Sequence, residues 1–108
     1  MSTFVAEEFI IKPGKMGEYA ALVMKYDSYR KDHPELFKEL LSRKGFTHVF
    51  GGKVGGCVEL SEFKSLEDSQ VCGGRLMATQ DFMANIVLPS LELAVPGTYS
   101  NSIWNSFP

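Results

Sequence analysis

With 108 residues and a mass of 12.0 kDa, the chain has room for a single domain, residues 1–108, and not for two ordinary cores. Hydrophobic residues make up 44% and charged residues 22%, which excludes intrinsic disorder, and no apolar run nears the roughly 20 residues that cross a bilayer. Thirteen acids against eleven bases leave a net charge of −2 with neither sign clustered, which excludes the basic footprint of a nucleic-acid binder.

The opening Met1-Ser2-Thr3-Phe4 lacks the basic head and apolar stretch of a signal peptide, so a cytoplasmic location is expected. Cys57 and Cys72 are the only cysteines. Their spacing matches no CxxC or paired metal motif, and free thiols are the expected state. A chain this small usually needs a disulfide, a metal or a partner chain to complete its burial. With the first two set aside, a partner is the remaining source.

Phe4 to Ile11 is rich in β-branched and aromatic residues and reads as a strand, closed by the Pro13-Gly14 turn. From Met16 the period becomes helical: Met16, Tyr19, Ala20, Val23 and Tyr26 form one stripe. Pro34 restarts the backbone, with Asp32-His33 where a cap belongs. The spacing of Leu36, Phe37, Leu40 and Leu41 predicts a second helical piece ending at Lys44-Gly45. Phe46 to Phe50 and Cys57 to Phe63 read as two strands joined by the glycine-rich segment 51–56, most simply a hairpin. That segment lacks the Gly-Lys-Ser/Thr ending of a phosphate loop.

Ser65 is a helix cap followed by Glu67 and Asp68 in the first turn. Gly73-Gly74 is expected to weaken this helix, by about 1 kcal/mol per glycine, or to break it. A second start at Thr79 leads into Phe82, Met83, Ile86 and Val87 and is expected to stop before Pro89. After the Pro96-Gly97 turn, Thr98 to Trp104 reads as the last strand.

Strand, helix, strand, strand, helix, strand is the ferredoxin-like order: α+β, with a four-stranded antiparallel sheet and both helices on one face. Phe4, Phe9, Ile11, Phe46, Phe50 and Phe63 populate the strands too densely for one sheet face to stand in water. At about 1.5–3 kcal/mol for each buried side chain, a homodimer packing sheet against sheet as an α+β barrel is expected.

The stretch Phe9-Ile10-Ile11-Lys12-Pro13-Gly14-Lys15-Met16-Gly17-Glu18-Tyr19 resembles the opening of NIPSNAP-type and antibiotic-biosynthesis-monooxygenase-type domains. Val58-Glu59-Leu60-Ser61-Glu62-Phe63-Lys64-Ser65-Leu66-Glu67-Asp68 is similar to their third strand running into helix two, and Thr79-Gln80-Asp81-Phe82 to the end of that helix. The resemblance implies the dimeric α+β-barrel superfamily, whose members include cofactor-independent monooxygenases, haem-degrading enzymes, lactone isomerases and proteins without established activity. The haem-degrading branch uses an Asn, a Trp and a His around the haem. Here the one Trp, Trp104, lies on the last strand and helix two has no His, a departure from that pattern, and no cofactor is expected.

Candidate site residues come from the strands and helices themselves. His48 shares strand parity with Phe46 and Phe50 and reads either as a pocket base or as a structural histidine bonded to a neighbour. Glu8 and Glu62 sit among apolar neighbours, so they either line a cleft with His48 or stand at an exposed edge. Arg75 reads as an acid's partner, an anion holder or a surface residue. Tyr19, with Tyr26 and Tyr29 on the same helix, reads as core packing or as a substrate-orienting hydroxyl, and Trp104 as a second positioning ring. His33 fits a cap. No triad order, nucleophile elbow or dinucleotide fingerprint occurs. The expected function is a dimer binding a small apolar or aromatic molecule between sheet and helices. The alternative is a cofactor-independent monooxygenase-type enzyme on an aromatic or quinol-like substrate, with His48 as base.

Overall fold

The computed structural model describes residues 2–48 and 52–107. Strand β1 (Thr3–Ile10) leads through the Pro13-Gly14 turn into helix α1 (Met16–Asp32). Gly14 takes φ +76° there, a conformation glycine adopts without strain. A short 3-10 turn (Pro34–Phe37) precedes β2 (Leu40–Thr47), and β3 (Gly56–Phe63) runs into α2 (Leu66–Met77). A composite third helix, α3, comprises an α turn Gln80–Phe82, a π-helical turn Met83–Val87 and an α segment Leu88–Leu93. Strand β4 (Ser100–Asn105) ends the sheet, whose order is β2-β3-β1-β4, antiparallel throughout. The ferredoxin-like α+β architecture expected from the element order is present.

Three local expectations are corrected. Residues 34–44 are not a second helix: after one 3-10 turn, the chain pairs with β3 from Leu40 onward. Helical spacing of four leucines and phenylalanines is outweighed here by a ladder, with a bulge between Leu40 and Ser42 that re-aims the strand. Nor does α2 break at Gly73-Gly74. Ser65 caps it by accepting from the Asp68 backbone N–H at 3.1 Å, and Arg75 ties it to the 3-10 turn with two 2.7 Å bonds to Glu39 and one to the Leu36 carbonyl. Finally, Pro89 does not end the last helix. The π turn before it shifts the hydrogen bonds, so that the Leu88 N–H donates to the Met83 carbonyl, and a proline follows at the start of the next α segment, where its missing N–H is tolerated.

Strand parity sorts the side chains into two faces. Thr3, Val5, Glu7 and Phe9 of β1 face the helices together with Cys57, Glu59, Ser61 and Phe63 of β3. Phe4, Ile10, Val58, Leu60, Phe46 and Trp104 occupy the opposite face, where no helix covers them. Phe50 lies outside the described residues. Under the helices two apolar clusters form, one at each end of the sheet. Phe37, Leu40, Phe63, Cys72, Phe82 and Ile86 make the larger, with Phe37 and Phe82 edge to face at 5.8 Å. Ile11, Tyr19 and Cys57 make the smaller. Both cysteines are free and buried. Among the described residues, no helix is long and apolar enough to cross a membrane.

Candidate functional site

Between the two clusters the helical layer stands off the sheet and leaves a cleft of about 590 Å³. Val5 and Phe9 form its floor, Leu22, Val23 and Tyr26 of α1 one wall, and Leu76, Phe82 and Met83 the other. Gly73 of α2 also lines it, and a Cβ added there meets nothing within 4 Å. The space beside Gly73 is therefore open.

A polar row crosses this apolar floor. Gly45, Glu59, Glu7 and Asn101 are successive register partners across the four strands, and Arg43 and Ser61 stand next to the row. Glu59 is held from two sides: it accepts from the Tyr19 hydroxyl at 2.5 Å and pairs with the Arg43 guanidinium. Arg43 in turn lies over the Tyr26 ring, 4.5 Å from its centroid. Glu7 accepts from the Tyr99 hydroxyl at 2.6 Å. Tyr99 is 45% exposed, so the Glu7 end of the row is the open end.

Burial governs the protonation of these groups. It pushes the Glu7 carboxyl above the usual range, with the Glu59 charge adding to the effect, while the Tyr99 bond and Arg43 oppose it. Burial likewise raises the Tyr19 and Tyr99 phenols, reinforced by the glutamates they bond, and pushes Tyr26 up to about 12. All three tyrosines are therefore neutral at physiological pH, and the Glu7 carboxyl keeps its proton to a higher pH than a free one does. A second, more open cavity of about 490 Å³ lies between α1 and β2 and shares Tyr19, Arg43 and Glu59 with the first.

The structure brings Tyr19 and Tyr26 into the cleft and leaves Glu8, Glu62, His48, Trp104 and Arg75 elsewhere. Glu8 and Glu62 lie on the uncovered sheet face, opposite Val58 and Phe4 respectively. Glu62 accepts from Ser2 and Ser42 hydroxyls, which lower its pKa. His48 is exposed at the end of β2, where its Nδ1 accepts from the Lys53 backbone N–H at 2.9 Å. A Cβ on Gly52 or Gly56 runs into its ring, so His48 braces the glycine-rich loop and does not converge with the acids. Trp104 stands beside Phe4 on the uncovered face, its Nε1–H donating to Ser102. Arg75 is the Glu39 clamp described above. His33 stacks on Tyr29 at 4.1 Å beyond the end of α1. Of the groups that do converge, Glu7 is the neighbour of the named Glu8, Arg43 lay in a segment read as helix, and Glu59 and Tyr99 lay in segments read as strands without being singled out. Among the described residues, no three His, Cys, Asp or Glu side chains gather as metal ligands.

No family model and no curated protein matches the chain. Among solved structures, a NIPSNAP family protein from Agrobacterium tumefaciens superposes with TM-score 0.73 at 20% identity, over 99% of this chain and 94% of that one. SnoaB, a cofactor-independent oxygenase from Streptomyces nogalater, gives 0.68 at 8% identity over 97% and 92%. A putative antibiotic biosynthesis monooxygenase from Bordetella bronchiseptica gives 0.71 at 6% identity over 99% and 98%. The likeness is one of fold: the chain has the α+β ferredoxin-like fold of NIPSNAP and antibiotic-biosynthesis-monooxygenase-like proteins.

Proposed function

We propose that this protein binds a small, largely apolar aromatic molecule in the sheet–helix cleft and does so as a homodimer. The cleft carries the first part of this reading. Its volume lies in the range of about 300–1,000 Å³ typical of small-molecule sites, its walls are largely aliphatic and aromatic, and its charged groups, Glu7, Glu59 and Arg43, gather on the sheet. Phe9 and Val5 on the sheet and Leu76 and Met83 on the helices offer an aromatic body apolar contacts.

The uncovered sheet face supports the second part. The chain exposes 7058 Å², where a monomer of this mass exposes about 6,000 Å². The difference is near the roughly 800 Å² each partner contributes to an interface of standard size. A second copy offers the matching apolar face in the symmetric arrangement that dimers favour. The two unpaired, buried thiols fit a reducing compartment such as the cytoplasm.

Thermal unfolding with added 1-naphthol tests the binding reading. The midpoint should rise with ligand concentration, and Gly73→Leu, which fills the cleft, should remove the rise while remaining folded. Failure of 1-naphthol to bind the wild type with a Kd of about 1 mM or tighter overturns it.

Glu7 favours a second reading, catalysis. A carboxyl raised by burial, facing a largely apolar cleft, suits removal of a proton from an activated aromatic substrate. Proton removal is the step that cofactor-independent oxygenation requires, one oxygen atom then entering the substrate and the other leaving as water. Oxygen uptake with anthrone, lost in Glu7→Gln, is the result that supports it; uptake no faster than without protein rejects it.

A further inference from the structure

We infer that the cleft selects a neutral aromatic ligand bearing a hydroxyl group, and that Glu7 accepts the hydroxyl's hydrogen bond. The inference rests on the binding reading above and specifies its ligand. Along the polar row the two glutamates differ in what they have left to offer. Glu59 is engaged by the Tyr19 hydroxyl and by the Arg43 guanidinium. Glu7 meets a single donor among the described residues, Tyr99, through Oε2. An ionised carboxylate has about four lone-pair sites on its two oxygens, so Glu7 retains acceptor capacity where it lines the cleft.

The neighbours of Glu7 decide which donor suits it. A ligand carboxylate would face Glu7 and Glu59 together, two acids opposite one another on adjacent strands, and like charges at that separation repel. A ligand ammonium would give up its hydration in a cleft walled by Val5, Phe9, Leu76 and Met83, with Arg43 already supplying positive charge beside the row. A phenolic hydroxyl avoids both costs. It donates one hydrogen bond to Glu7, and the ring that carries it supplies the apolar body the walls accommodate.

The test compares 1-naphthol, 1-methoxynaphthalene and 1-naphthoate on the wild-type protein and on Glu7→Gln, by titration calorimetry. For the wild type, 1-naphthol should bind about tenfold more tightly than 1-methoxynaphthalene, the worth of a hydrogen bond to a charged group, and 1-naphthoate should be excluded. In Glu7→Gln the gap should close to within about threefold, because an amide both donates and accepts, and 1-naphthoate should gain affinity. Gln keeps an acceptor for Tyr99, so the variant should fold. In addition, ¹³C NMR of the wild-type carboxyls should show the Glu7 resonance moving with 1-naphthol and not with the methyl ether, which tests the contact without any variant. Equal binding of naphthol and ether to the wild type, or a gap that survives in Glu7→Gln, overturns this inference alone. Failure of all three compounds to bind the wild type overturns the cleft reading and this inference together.

Discussion

Glu7 and Glu59 are register partners on neighbouring antiparallel strands, both beneath the helices, and their surroundings are unequal. Glu59 has a phenol and a guanidinium; Glu7 has one phenol at the open end of the cleft. Two acids so placed cost stability when both are charged, and the asymmetry determines which of them bears the cost.

Glu7 binds its proton more tightly in the folded chain than in the unfolded one, because burial penalises the charged form. Folding is therefore favoured by this group at low pH, and the advantage is lost as pH rises from the unfolded carboxylate value through the raised folded one. Glu7→Gln should be more stable than wild type at pH ~8 by about 0.5–1 kcal/mol, a few degrees in midpoint, and should lose that margin near pH ~4. Thermal melts at both pH values check this. A variant less stable than wild type at the higher pH contradicts it.

Arg43 is the charge that compensates the pair, and its side chain is only 10% exposed. Arg43→Met should destabilise the fold by about 2–4 kcal/mol, since it leaves Glu59 charged and half-buried opposite Glu7. Adding Glu59→Gln should recover at least half of the loss. Urea unfolding of the two single variants and the double variant, at equal protein concentration, measures the coupling.

Gly74 is exposed and helical, and a Cβ there meets nothing within 4 Å. Gly74→Ala should stabilise the protein by about 1 kcal/mol, raising the midpoint by about 4–8 °C. Differential scanning calorimetry measures the shift; no change would mean that α2 gains nothing from helix propensity at this position.

Leu60 sits mid-strand on the uncovered face, paired with Ala6 and Lys44. If that face joins two copies, Leu60→Asp should yield a folded monomer, and Trp104 emission should shift to the red as its ring enters water. Sedimentation of the wild type at micromolar concentration should give twice 12.0 kDa. A folded wild-type species of 12.0 kDa rules the dimer out.

Much of the fold was legible because its signals are local. The Pro13-Gly14 turn, the Ser65 cap and the order of elements all depend on neighbouring residues. Residues 40–44 were not legible as strand, since only β3 gives them a ladder partner. The site failed for a related reason. Strand β1 is apolar on both parities, with Val5 and Phe9 on one and Phe4 and Ile10 on the other. Its own pattern therefore could not say whether Glu7 or Glu8 faces the helices. Arg43 was hidden in the segment read as helix. Tyr19 was identified because helical periodicity alone placed it inward.

The two apolar clusters sit at opposite ends of the sheet with the cleft between them, so the helical layer resembles a beam resting on two supports. Such a span should give most at its middle, at Ser90 and Leu91, between Ile86 on the larger cluster and Leu93 against the smaller, while its ends stay seated. Access to the cleft then need not take either cluster apart. Opening the cleft should cost a local motion, far less than global unfolding, and amide protection should be lowest mid-span and highest at the two piers.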